Sequence, residues 1–283
     1  MTEQDRTGAE LEGRMGDDAV PGAGDETGAD AASGTEAVRR HFKLVIAYDG
    51  TDYVGWQVQK NGISVQQRVN EAVSDLFGEA IEVMGASRTD AGVHAEGNVA
   101  SFFATTRMPA DKIAYALNRR LPEDIAIQSS EEVDWDFHPR FDAVEKTYEY
   151  HIINRRQPRP LKRRQGWFFH RPLDVEAMRA ATAPLIGEHD FRSFASIHAQ
   201  TKTYVRTIYS LGVRSEEDEI IVRVTGSGFL YNMVRIIVGT LVQMGSGQKR
   251  PEDMARILAA RDRKAAGPTA PARGLVLLEV VYE

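Results

Sequence analysis

The chain of 283 residues contains no cysteine. This excludes disulfides, cysteine-containing zinc sites and any thiolate nucleophile. Histidine is sparse as well: the seven, at positions 41, 94, 138, 151, 170, 189 and 198, show neither the i, i+4 helix spacing nor the close clustering of a metal site. No metal is therefore expected. Long apolar runs are missing too. The most apolar stretch, 226–248, is short for a bilayer and has Arg235 in its middle. A basic excess is also absent, with a formal charge of -6 and a pI near 5.7. That figure hides an asymmetry. Of 41 acidic and 35 basic residues, the first forty positions hold ten and four, which leaves 31 of each for the rest. The body is neutral, so the acidic pI does not argue against a basic groove on it.

Residues 1–40 have no aromatic residue and no hydrophobic period, and they are rich in Gly, Ala, Asp and Glu. They cannot bury enough apolar surface to offset ordering and read as a disordered acidic tail. A basic start and an apolar run, the marks of a secretory signal, are lacking, so a cytoplasmic location is expected.

Beyond the tail, periodicity predicts strands at 42–48, 81–84, 98–104 and 125–133, with helices at 65–77 and 109–120. Ser64 and Gln67 form a capping-box signature ahead of the first helix. A similar order follows: strand 147–153, helix 175–185, a hairpin of 204–213 and 220–225, helices 231–244 and 251–260, and strand 275–282. The expectation is an α+β protein of two ferredoxin-like halves, 41–145 and 146–283, with antiparallel sheets and a cleft between them. The 216–219 run reads as a solvated hairpin turn.

Chemistry has to be sought among few groups. Arg235 is the one charged residue of 226–248. On a helix its flanks, Tyr231, Val238 and Val242, are largely apolar, and a guanidinium drawn into such a place needs an anion. It could equally be a structural ion pair, or reach water along its stem. Asp90 stands in GASRTDAGVH (85–94), where Ala86, Ala91 and Gly92 leave room for another backbone or a flat ligand. The same spacing also suits a plain Asx-turn. If this stretch is extended, Arg88 leaves it on the same face as Asp90, where it could hold a phosphate or form a local salt bridge. Tyr148 alternates with Lys146 and Tyr150, the pattern of strand packing or of a base platform. Finally, 155–164 gathers six cations, Arg155, Arg156, Arg159, Lys162, Arg163 and Arg164, without an acid, and aromatics 167–169 follow. Stiffened by proline, this segment reads as an RNA-backbone contact.

Several separated motifs then coincide. YDGTDYVGWQ (48–57), SVQ (64–66), RTDAGVH (88–94), FHPRF (137–141), YEY (148–150), HDFRSF (189–194) and GFLYNMVR (228–235) occur in one order. Over 42–283 the chain resembles the TruA-type tRNA pseudouridine synthases. Ser87 replaces the glycine usual in that family, and Lys146 a frequent arginine. The resemblance implies isomerisation of uridine to pseudouridine at positions 38 to 40 of the tRNA anticodon arm, without cofactor or metal, by homodimers that grip one tRNA. It further implies Asp90 as nucleophile, Tyr148 stacked on the target base, Arg235 paired with Asp90, and Arg88 holding the flipped nucleotide. Three rivals are weighed. A uridine methyltransferase lacks its usual cysteine and a strand-linked glycine motif for the methyl donor. A phosphohydrolase lacks further carboxylates for magnesium near Asp90. An RNA-binding module of ferredoxin-like sheets is the serious one, and Arg235 aimed at a loop aspartate is what it would not need.

Overall fold

The computed structural model describes residues 37–283. The expected tail therefore falls outside the described residues, apart from its last few. There the reading changes. Strand β1 is Val38–Tyr48 and begins four residues earlier than predicted, with Val38, Arg39 and Arg40 opposite Thr106, Thr105 and Ala104. Arg40 is held by Glu132 at 2.6 Å and lies over the Phe42 ring, a compensation that charge-rich composition conceals.

Helix α1 (Val65–Phe77) starts where predicted, because the Ser64 side chain accepts the Gln67 N–H. The return half of the capping box is not made, since the Gln67 amide donates to Glu71 instead. The strand predicted over 81–84 shrinks to β2, Met84–Gly85. Side chains of α1 take the place of a strand partner: Ser74 binds Ile81, and Asn70 and Gln66 bind the two backbone groups of Val83. Strand β3 (His94–Thr106), helix α2 (Ala110–Asn118) and strand β4 (Ile125–Glu132) complete this half. Its strands are ordered β4-β1-β3 with β2 on β3, so the fourth, first, third and second strands lie side by side as in a ferredoxin-like unit.

The second half repeats this. Its strands are β5 (Ala143–Asn154), β8 (Val205–Glu216), β9 (Glu219–Gly226) and β10 (Leu275–Tyr282), ordered β10-β5-β9-β8. Two short strands that the periodicity does not announce decorate it: β6 (Trp167–Phe169) beside β5 and β7 (Gly187–Asp190) beside β8. Helix α3 stops at Val175–Ala180, short of the predicted 185, and a 3-10 turn containing Pro184 follows. Helices α4 (Met233–Gly245) and α5 (Asp253–Ala260) precede β10.

The strands of the two halves form one ten-stranded sheet rather than two separate ones, antiparallel except where β3 meets β10 and β5 meets β6. The join is β10, antiparallel to β5 and parallel to β3 through Val276↔His94 and Leu277↔Ala95. One line across the sheet therefore runs Ala95, Leu277, Tyr148, Val224. It places the loop that enters β3 two strands from Tyr148. On the other face of β5, Glu149 is flanked by Arg214, Arg223 and His151.

Candidate active site

The loop before β3 is pinned at several points. Ala86 N–H donates to the Val99 carbonyl (2.7 Å) and the Ala86 carbonyl accepts Lys146 Nζ (2.6 Å). Asn98, fully buried, donates to the Ser87 carbonyl. Thr89 Oγ1 bonds the Tyr48 hydroxyl at 2.7 Å, and its carbonyl takes the Trp56 N–H. Gly55 has φ +108°, and a Cβ there would stand 2.7 Å from the Thr89 carbonyl oxygen. A side chain at 55 would push the loop out of place. The YDGTDYVGWQ motif is thus the mould of the RTDAGVH loop. His94 closes the loop: its Nδ1 accepts the Gly50 N–H, so its Nε2–H donates to the Arg164 carbonyl at 2.8 Å.

Asp90 projects from this rigid loop toward α4. Arg235 sits on the first turn of that helix, in which only Arg235 and Gln243 are not buried. Its Nη1 lies 2.9 Å from Asp90 Oδ2. Two further bonds aim the guanidinium: Nη1 to Asn232 Oδ1 (2.8 Å) and Nε to the Ala270 carbonyl (2.8 Å). Asn232 precedes the helix with φ 63°, a left-handed conformation that asparagine tolerates better than most residues. Side-chain exposure of 17% for Arg235 and 15% for Asp90 leaves the pair one open flank. Burial raises the Asp90 pKa, and Arg235 opposes that by hydrogen bond and charge, with burial the stronger effect.

Tyr148 lies beside this pair, 8% exposed, with its ring edge-to-face against Phe229 (5.2 Å between centroids). Burial lifts its phenol well above the tyrosine range. The nearby Ser87 hydroxyl lowers it and the Asp90 charge adds to the rise. Ser87 Oγ approaches the phenol without reaching hydrogen-bond geometry and is buried without a partner. Arg88 is exposed on a groove shared with Trp56, Gln66, His138, Arg140 and Phe141, and no carboxylate of the described residues pairs with it. The structure thus brings Asp90, Arg235 and Tyr148 to one place and puts Arg88 in a groove that none of the three lines.

The basic segment is less bare than its composition. The β8–β9 turn, expected to be solvated, lies on it because β5 and β9 pair as far as Ile153↔Glu219. Arg155 and Arg159 bond Asp218 at 2.9 and 3.0 Å, Lys162 bonds Glu219, and Arg164 meets Asp52 at 3.3 Å. Arg156 and Arg163 have no acidic partner among the described residues. The sequence reading missed Asn98, Asn232 and the Ala270 carbonyl. A polar residue inside the apolar strand NVASFFA was the available signal for Asn98; nothing announced the other two.

The family model described as tRNA pseudouridine synthase matches residues 44–142 and 181–283, the two stretches that contain Asp90 and Arg235. The chain belongs to this family. Among curated relatives, tRNA pseudouridine synthase A of Acetivibrio thermocellus is 48% identical over 243 residues, 86% of this chain and all of that protein. The Brevibacillus brevis enzyme of that name is also 48% identical over 243 residues, with the same coverage, and that of Geotalea uraniireducens 45%. Among solved structures, a chain of a Cbf5-Nop10-Gar1 complex aligns at a TM-score of 0.33 and 11% identity, covering 71% of this chain and 45% of that one. As a tRNA pseudouridine synthase, this chain is an isomerase, and its site must turn a base without adding or removing atoms.

One prediction concerns the wall behind the ion pair. Gly239 of α4 lies so close to the 267–270 loop that a Cβ would stand 1.8 Å from the Pro268 carbonyl oxygen. Gly239→Ala is expected to lower stability by about 1–3 kcal/mol, as overpacking does. It should also cut activity beyond the loss of folded protein, because Ala270 moves with that loop and carries the carbonyl that aims Arg235. Thermal melts read beside the turnover of the folded fraction check both parts.

Proposed function

We propose that the chain isomerises uridine to pseudouridine in the anticodon arm of tRNA, with Asp90 as the nucleophile. The observation that carries this is the Asp90–Arg235 pair, a half-buried carboxylate on a pinned small-residue loop, held by an arginine from the other half beside an aromatic ring. In this reading 41–145 and 146–283 are two domains. The first supplies Asp90 and Arg88, the second Arg235 and Tyr148.

The target uridine must leave its stack, at a cost of a few kcal/mol, and least of all in a loop or at a stem end. Asp90 then attacks the base or the sugar, and the N-glycosidic bond breaks. The uracil turns and rejoins through carbon 5. Carbon 5 loses its proton, N1 gains one, and the carboxylate leaves unchanged. Tyr148 stacks on the ring; with its phenol held neutral by burial, water or Asp90 is the better acceptor for the carbon-5 proton. Arg235 opposes the burial that would otherwise neutralise Asp90, and Arg88 holds the displaced nucleotide. The reading includes a cytoplasmic homodimer that grips one tRNA, with Arg155, Arg156, Arg159, Lys162, Arg163 and Arg164 against its backbone.

The test is to incubate the protein with an unmodified tRNA transcript and map pseudouridine. Product in the anticodon arm is expected. Tight binding with no product anywhere would instead leave an RNA-binding module.

A further inference from the structure

Besides Arg88, three cations near the cleft are left without a carboxylate partner among the described residues. Arg140 is in the loop before β5, Lys146 is on β5 and Arg206 is on β8, and none has a carboxylate of the described residues within 4.0 Å. The sheet register puts two of them on one face of the sheet. Lys146 is opposite Gly226, Gly226 is opposite Ile208, and Arg206 is two residues along from Ile208 on the same face. Gly226, on the strand between them, contributes no side chain of its own to that face, and the Phe229 ring packs against its position. Arg140, exposed and lying over the Phe141 ring, acts on both: its charge lowers the pKa of Lys146 and of Arg206, in each case behind the larger effect of burial. Lys146 reaches about 8.

Their other bonds are to neutral acceptors. Lys146 uses one N–H on the Ala86 carbonyl, and Arg206 binds the carbonyls of Thr203 and Val205. Like charges drawn together over a partly buried amine, with donors to spare, call for an anion. The contrast with 155–164 is direct, because four of its six cations already have carboxylates.

We propose that Arg140, Lys146 and Arg206 form a binding site for an RNA phosphate next to the nucleotide that enters the Asp90 cleft. The placement rests on reading that cleft as the active site. Lys146 holds the carbonyl four residues before Asp90 and lies two residues from Tyr148 on the same strand face, while Arg140 shares a groove with Arg88. Extruding a nucleotide swings its flanking phosphates out of the helical path, and a fixed trio of cations holds the backbone in that open position.

The test uses the full chain, an unmodified tRNA transcript, binding across a salt series and single-turnover product formation. Arg140→Gln, at an exposed position, and Lys146→Met are each expected to weaken binding about tenfold at low salt. Each should also lower the steepness of log affinity against log salt by about 0.7–0.9. Lys146→Arg keeps both. Lys112→Gln, at an exposed lysine on α2 beside Asp111, alters neither. On transcripts carrying a neutral methylphosphonate at one or the other phosphate flanking the mapped target, the Lys146→Met penalty should vanish in one of the two. Wild-type affinity and slope in Arg140→Gln and Lys146→Met would overturn the site. A penalty undiminished on both modified transcripts would overturn its position. Failure of the cleft reading shows separately, as turnover by Asp90→Asn, and leaves the salt slopes to report on the phosphate site.

Discussion

Asp90→Asn is expected to bind tRNA with the affinity of the unchanged protein and to lose turnover by at least about four orders of magnitude. The substitution keeps the shape of the side chain, and an amide oxygen can still accept from Arg235 Nη1, so the loop and α4 stay in place. What goes, on the proposed mechanism, is the attacking electron pair of a carboxylate. The loop itself gives no reason for collapse, because its anchors are backbone groups and the side chains of Tyr48, Asn98 and Lys146. Single-turnover assays at saturating enzyme, with binding measured alongside, separate the two effects. A rate within tenfold of normal would remove Asp90 from the chemistry.

Arg235→Met should be the more damaging change for the protein as a whole. It leaves a half-buried carboxylate without its counter-charge, and strands Asn232 Oδ1 and the Ala270 carbonyl. Breaking a buried pair costs about 3–5 kcal/mol, and the open flank of this one puts the loss near the lower end. The sign of the pH response follows from the carboxylate. Asp90 is already raised above its ordinary value in the folded protein, because burial outweighs Arg235. Without the guanidinium it rises further. The variant should therefore recover stability as pH falls and Asp90 takes up a proton, and lose it as pH rises through the raised pKa. Its activity, which on the proposed mechanism needs the carboxylate, should do the reverse, with the acid limb of the rate profile displaced upward from that of the unchanged enzyme. Urea melts and single-turnover rates over a pH series check the pair of trends. Parallel behaviour of stability and activity would contradict the role assigned to Arg235.

Much of this was legible in the chain. Helix α1 was legible because Ser64 and the spacing of Val65, Val69, Ala72 and Val73 agree. Arg235 stood out because one charge in an apolar helix has to be answered by something. Other features rest on partners remote in sequence. The 81–84 stretch has the composition of a strand, yet three polar side chains of α1 satisfy its backbone. The segment 155–164 reads as bare charge until the β8–β9 turn, some sixty residues on, folds back over it. Arg206 is sixty residues from Lys146 in sequence and shares a sheet face with it only through strand register. No local pattern contains that information.

The order in which the chain is made gives the sheet join a further meaning. Asp90, Tyr148 and Arg235 are all synthesised before β10, but the strand that fixes β3 against β5 is the final one of the described fold. Each half can collapse locally as it emerges, yet the two cannot be zipped together until residues 275–282 have left the ribosome. A nascent chain would then carry Asp90, Tyr148 and Arg235 before the join that brings their halves together exists, so the cleft assembles in one step, once β10 has emerged.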